Sequence, residues 1–182
     1  MPRALGQSNY FWKCFYKYKK KIDFYYLEDL PKYNGNNLDY EYFIKNQIKL
    51  GLKDLEPEDI ILISDADEIP NEYLIQALPY ILEANDGVEA YWVPRVNTVA
   101  GITDDHIAKW GWRLNEQGWV NFPDWQMRLY KNDDNIYWIK PVHEQLKGFR
   151  KFANLPPEEK FCLYHPKDIG RQEKQNAFYE TI

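Results

Sequence analysis

The sequence predicts an α/β fold with a mostly parallel central sheet, packed as one domain of 182 residues. Three observations carry this expectation. Residues 59–64 form a nearly continuous apolar run, the pattern of a strand buried on both faces. A helical stripe through Phe43, Ile44, Ile48, Leu52 and Leu55 precedes that run. A strand-like run at 22–27 comes earlier still, so the order is strand, helix, strand, a βαβ unit.

The elements follow in order. Residues 1–9 are polar and are expected to fray, and residues 10–20, aromatic and basic, read as a helix. After the run at 22–27, Pro31, Asn34, Gly35, Asn36 and Asn37 make a loop. Asp39 can cap the next helix, and Gly51 weakens its end. Pro57, Glu58 and Asp59 turn the chain into the apolar strand. Beyond Asn71 a second helix runs through Leu74, Ile75, Leu78, Ile81 and Leu82 despite Pro79, and Gly87 closes it. Strands are expected at 90–96, 124–130 and 135–139, with a tryptophan-rich loop before the second of them. The tail from Arg171 reads as a polar helix. No repeat, low-complexity segment or linker divides the chain.

Composition narrows the function classes. Acidic residues outnumber basic ones 28 to 23, for a net charge of −5, which argues against a nucleic-acid partner. The local basic run Lys17, Lys19, Lys20 and Lys21 reads as a solvated helix face or as contact with an anionic surface. Cys14 and Cys162 lack metal-site spacing and read as free thiols in a reducing compartment, so a cytoplasmic location is expected. No apolar stretch is long enough for a membrane span, and the N-terminus carries no signal-like segment. Aromatic residues reach 17%, useful equally to a core and to sugar stacking.

The chemistry concentrates at Ser64-Asp65-Ala66-Asp67-Glu68-Ile69-Pro70, where a buried strand runs into three carboxylates. Strand periodicity puts Asp65 and Asp67 on one side, where two oxygens can clasp a hard cation such as Mn²⁺ or Mg²⁺. Ligands in open α/β sheets sit beyond the carboxyl ends of strands. The clasp requires both carboxylates to face one ion rather than to be engaged by arginines. The bland alternative is a polar loop that caps the next helix.

This segment resembles the Asp-x-Asp region of GT-A glycosyltransferases, a Rossmann-like fold. Phe122-Pro123-Asp124-Trp125-Gln126-Met127-Arg128-Leu129-Tyr130 and Val142-His143-Glu144 resemble the acceptor half of family 2 enzymes related to bacterial lipopolysaccharide-core transferases. The string Asp-Ala-Asp-Glu-Ile-Pro is also similar to family 17 N-acetylglucosaminyltransferases. The ending Leu163-Tyr164-His165-Pro166-Lys167, then Arg171-Gln172, is similar to viral and bacterial members of these groups.

The resemblance implies transfer of a sugar from a nucleotide donor, a UDP-sugar by expectation, to a glycan or other hydroxyl acceptor, with inversion. It implies a cation on Asp65 and Asp67, completed by His165 unless that imidazole is a loop residue bonded to backbone. Asp124 stands where family 2 enzymes carry the acceptor base, with Glu144 as the rival. Arg95 and Arg128 either fork onto a phosphate or pair with carboxylates, and Lys167 joins them as a donor-binding candidate. His143 is an acceptor-side or outer candidate, and His106 reads as an exposed loop residue. Trp110, Trp112, Trp119 and Trp125 either stack on the acceptor or pack under a loop.

The front of the chain departs from the family. Only 64 residues precede Asp65, and the first strand, with its base-gripping loop, looks missing. The open sheet edge is expected to be covered by the N-terminal helix or by self-association, so a homo-oligomer completing the nucleotide pocket is expected. The competing function is a carbohydrate-binding or assembly module that kept the fold without turnover. A phosphohydrolase would need a second carboxylate and histidine set, which the sequence lacks.

Overall fold

A computed structural model describes residues 16–23, 27, 30, 43, 47–57, 59–139 and 145–180. The chain divides into two compact units, residues 1–55 with 140–143, and residues 56–139 with 144–182. In the first unit the described part holds a 3-10 turn, Tyr16–Lys21, and a short helix α1, Lys49–Leu52. The turn is exposed along its length, with the Lys19 ammonium on the Tyr16 ring and hydroxyl, as a solvated basic face would be. The expected strand at 22–27 and the helix from Asp39 lie mostly outside the described residues.

The second unit contains β1 (Ile60–Leu62), β2 (Ile69–Pro70), α2 (Glu72–Ala84), β3 (Ala90–Ala100), α3 (Asp104–Trp110), β4 (Val120–Lys131), β5 (Tyr137–Ile139), β6 (Gln145–Lys147), β7 (Phe152–Asn154), β8 (Leu163–Asp168) and α4 (Ile169–Tyr179). The main sheet has the order β1-β4-β3-β8-β2, with β7 also on β3. Strand β3 pairs in parallel with β7 and β8, but β1 with β4, β3 with β4, and β2 with β8 are antiparallel. The fold is therefore α/β with a mixed sheet, and the expectation of a mostly parallel one is corrected. The cause is β4, which returns from β3 through α3 and the tryptophan loop and inserts between β1 and β3. Strands β5 and β6 form a separate antiparallel pair.

Helix α2 forms where its apolar stripe predicts. Asn71 caps it by accepting from the Tyr73 backbone N–H at 2.8 Å. Leu74, Leu78, Ile81 and Leu82 pack on the sheet residues Tyr91, Val93, Leu129 and Leu163. On β3 the alternate positions Tyr91, Val93, Arg95 and Asn97 share a face by the strand period of two. The first two lie in the core and the last two are polar. On β8, Leu163 and then His165 repeat the switch, opposite Arg95 and Asn97. One face of the sheet thus changes from core to polar site along its length.

Helix α3 was not expected from the sequence. His106 lies on it rather than on a loop, and Thr103 and His106 close a reciprocal cap at its start. Cys162 is a buried free thiol, pushed up to about 12 by burial, while Cys14 lies outside the described residues. Among the described residues no helix is long and apolar enough to cross a membrane.

Candidate functional site

The site begins where β1 ends. Ile63 N–H donates to the Arg128 carbonyl at 2.8 Å, extending the strand pairing by one residue. The chain then turns, closed by Glu68 N–H on the Asp65 carbonyl at 2.9 Å. Because residues 65–68 are a turn, the strand period does not govern them, and Asp65 and Asp67 take different partners. The shared clasp expected from the sequence is corrected accordingly.

Asp65 Oδ2 accepts from Arg128 at 2.6 Å, and the same guanidinium nitrogen donates to Glu68 Oε1 at 2.8 Å. Glu68 Oε1 also accepts from Arg95 at 2.6 Å. Arg95 donates twice to Asp124 Oδ2, at 2.9 and 2.6 Å. Asn97 adds a third bond to that oxygen at 2.7 Å, and Gln126 donates to Asp124 Oδ1 at 2.8 Å. These residues form a continuous ion-paired floor. Burial opposes ionisation of Glu68 and of Asp124. Arg128 and Arg95 outweigh it for Glu68, and Arg95, Asn97 and Gln126 for Asp124, so both carboxyls lie below their ordinary pKa.

Two irregularities in β4 aim this floor. Its pairing with β3 steps from Leu129 to Met127 across Tyr91 and Trp92, leaving Arg128 as an extra residue. It then slips between Asp124 and Val120, where Asn121 has φ +51°, a strained left-handed conformation for a non-glycine residue. Asn121 Oδ1 accepts from Arg113 N–H at 2.9 Å, and Asn121 N–H donates to the Arg113 carbonyl at 2.8 Å, which holds the slip against the tryptophan loop.

Above the floor, Asp67 and His165 meet. Asp67 Oδ2 lies 3.4 Å from His165 Nε2 and accepts from Arg171 at 2.6 Å. The protonation of the ring follows from its neighbours. Asp124 can only accept, so the Asn97 amide nitrogen faces it and the Asn97 oxygen faces His165 Nδ1, at 2.8 Å. Nδ1 therefore carries the hydrogen. Burial, with Arg95 and Lys167, holds the imidazole pKa below its ordinary value, so the ring is neutral near pH 7. Nε2 then presents a lone pair to a carboxylate oxygen. Burial works against the Asp67 anion, but His165 when protonated, and Arg171, outweigh it and keep its pKa low.

This pair is the part of the site whose donor chemistry suits Mn²⁺: one carboxylate oxygen and one imidazole nitrogen, its second nitrogen held by Asn97. Donors about 2.1 Å from one ion in adjacent octahedral positions stand about 3 Å apart, close to the observed spacing. A hard cation commonly takes only one or two protein ligands, with substrate phosphates supplying others. Among the described residues no group of three or more His, Cys, Asp or Glu side chains is gathered to hold an ion. Asp65, committed to the buried Arg128, stands outside the pair.

The remaining candidates divide. Arg95 and Arg128 pair with carboxylates, the second of the two fates open to them. Lys167 is half-buried, its pKa is lowered by burial and Arg95, and its ammonium donates to Gln175 at 2.7 Å. Glu144 and His143 lie outside the described residues. Trp110 packs on Trp112 at 4.7 Å and Trp119 on Phe122 at 4.9 Å, so these rings serve two separate contacts. Asn97 carries a part of the site that the sequence did not single out, while Glu68 and Arg171 were named there without the partners they take. A polar Asn97 inside an apolar strand and a carboxylate directly after Asp67 were the available signals. No protein-family profile, curated protein or solved structure matches the chain.

Proposed function

We propose that the chain is a metal-dependent glycosyltransferase of the GT-A type, which takes the diphosphate of a nucleotide sugar at Asp67 and His165. One observation carries the reading: two electron-pair donors, Asp67 Oδ2 and His165 Nε2, face each other at 3.4 Å across a gap that calls for a cation. The location is consistent with it, because Asp67 lies in the turn between β1 and β2, beside His165 on β8.

Asp67 and His165 are the residues that would hold Mn²⁺ or Mg²⁺, and the ion supplies Lewis-acid neutralisation of a leaving diphosphate. Asn97 keeps the imidazole in the tautomer with a free Nε2. Glu68, Arg95, Arg128 and Asp124 keep the floor rigid. Lys167 contributes positive charge toward an anionic donor. Asp124, with four hydrogen bonds and a depressed pKa, is better suited to anchor Arg95 and Asn97 than to remove a proton from an acceptor.

A second reading, a carbohydrate-binding or assembly module, draws on a specific observation: Asp65 and Asp67 both pair with arginines. Calorimetric titration with UDP-sugars separates the two. The enzyme reading predicts donor binding that needs Mn²⁺ and is lost in Asp67→Asn, together with slow donor hydrolysis. Glycan binding indifferent to metal and nucleotide supports the module and overturns the enzyme.

A further inference from the structure

We propose that Arg171 is a displaceable internal cation, seated on Asp67 in place of the metal, so that metal binding at Asp67 and His165 requires its guanidinium to leave. The inference rests on the proposed cation seat. Its starting point is the contrast between the two arginines that neutralise the acidic turn.

Arg128 is 9% exposed at its side chain, grows from the middle of β4, and is shared between Asp65 and Glu68. Withdrawing it would leave Glu68, whose side chain is fully buried, with Arg95 alone. It is a fixed counter-charge. Arg171 differs in every respect. Its side chain is 57% exposed, and its described contact is with one oxygen of Asp67, at 2.6 Å. A long guanidinium side chain in water loses little by exchanging one such ion pair for solvent, because exposed pairs contribute little net free energy.

The backbone that carries Arg171 need not move for this exchange. Arg171 N–H is held by the Asp168 side chain at 2.9 Å in the first turn of α4. The next residue, Gln172, is buried and donates to Asn176 at 2.8 Å, fixing the helix. Behind it, Ile169 sits against the turn at Gly101, whose φ of +84° leaves no room for a larger residue without strain. The helix is anchored, so the exchange asks only for rotation of the exposed Arg171 side chain.

Charge balance gives the seat its sign. Asp65, Asp67, Glu68 and Asp124 face the guanidiniums of Arg95, Arg128 and Arg171 and the nearby ammonium of Lys167. The charges are even while Arg171 is seated. Its departure leaves a net negative site in which a carboxylate oxygen and an imidazole nitrogen stand 3.4 Å apart. A divalent ion gains most from such a site, so Arg171 and the ion compete for the same oxygen.

Manganese titration, with free Mn²⁺ read by its electron paramagnetic resonance signal, tests the competition without any catalytic readout. Arg171→Gln is expected to bind Mn²⁺ about two- to fivefold more tightly than the wild type, and Arg171→Lys to stay near it. Asp67→Asn binds none in either background. Unchanged or weaker binding in Arg171→Gln, with binding still lost in Asp67→Asn, overturns the competition and leaves the cation seat intact. Absence of binding by both the wild type and Arg171→Gln, even with a UDP-sugar present, overturns the seat and the competition together. Circular dichroism confirms that the exposed substitution leaves the fold unchanged.

Discussion

Replacing Glu68 by Gln tests the ion-paired floor. Glu68 has a fully buried side chain, and its Oε1 accepts from Arg95 at 2.6 Å and from Arg128 at 2.8 Å. Its other oxygen accepts from Asp65 N–H at 3.2 Å. Glutamine keeps one acceptor but turns an NH2 toward a donor on the other side, and it removes the charge that two guanidiniums share. Breaking a buried pair from one side costs about 3–5 kcal/mol, because the partner charge stays behind without compensation. For a chain of this size that lowers Tm by roughly 6–20 °C. Thermal unfolding followed by circular dichroism measures it.

The pH dependence supplies an independent sign. The folded Glu68 carboxyl lies below its ordinary value, so its stabilisation is fully present above the unfolded pKa of about 4.3. It is lost as the pH falls through the lower folded value. The wild type and Glu68→Gln should therefore differ fully at pH 7 and converge in strong acid. A Tm within about 2 °C of wild type at pH 7, or a gap that widens on acidification, refutes the reasoning.

Two further predictions follow from local geometry. Gly148 has φ +93°, and a Cβ there would lie 1.6 Å from the Asn135 carbonyl oxygen, whereas at Gly118 nothing lies within 4 Å. Gly148→Ala should cost about 2–5 kcal/mol from strain and overpacking, and Gly118→Ala clearly less, by denaturant titration. Asn97→Leu removes the acceptor that fixes His165 Nδ1–H, and Mn²⁺ affinity should fall by about 10- to 100-fold, as read by calorimetry.

Much of the second unit was legible because its signals are local. Helix α2 announces itself by a five-residue apolar stripe closed by Gly87, and β1 and β3 by strand-like runs. Strand direction was not legible. A buried run reads alike whether its neighbour is parallel or antiparallel, and the insertion of β4 between β1 and β3 depends on the path of a loop. Strand β8 escaped notice because Pro166 and its charged residues disguise the alternation.

At the site, resemblance singled out Asp65, Asp67 and His165; the pairing of β2 with β8, Ile69 opposite Tyr164, brings Asp67 and His165 together from distant parts of the sequence. That Arg95 and Arg128 could pair with carboxylates was legible, but the partners each takes were not. Which carboxylate Arg128 meets is set by the bulge that leaves it without a partner on β3, and a bulge has no mark in this sequence. Asp65 and Asp67 likewise separate because a turn, closed by a backbone hydrogen bond, replaces the extended chain that the spacing suggested.

The most direct test of the cation seat is pulsed electron paramagnetic resonance of Mn²⁺ bound in the presence of UDP. The account predicts modulation from one directly coordinated nitrogen, present in the wild type and absent in His165→Gln. Nitrogen modulation that persists in His165→Gln, or bound Mn²⁺ with no coordinated nitrogen at all, would contradict it.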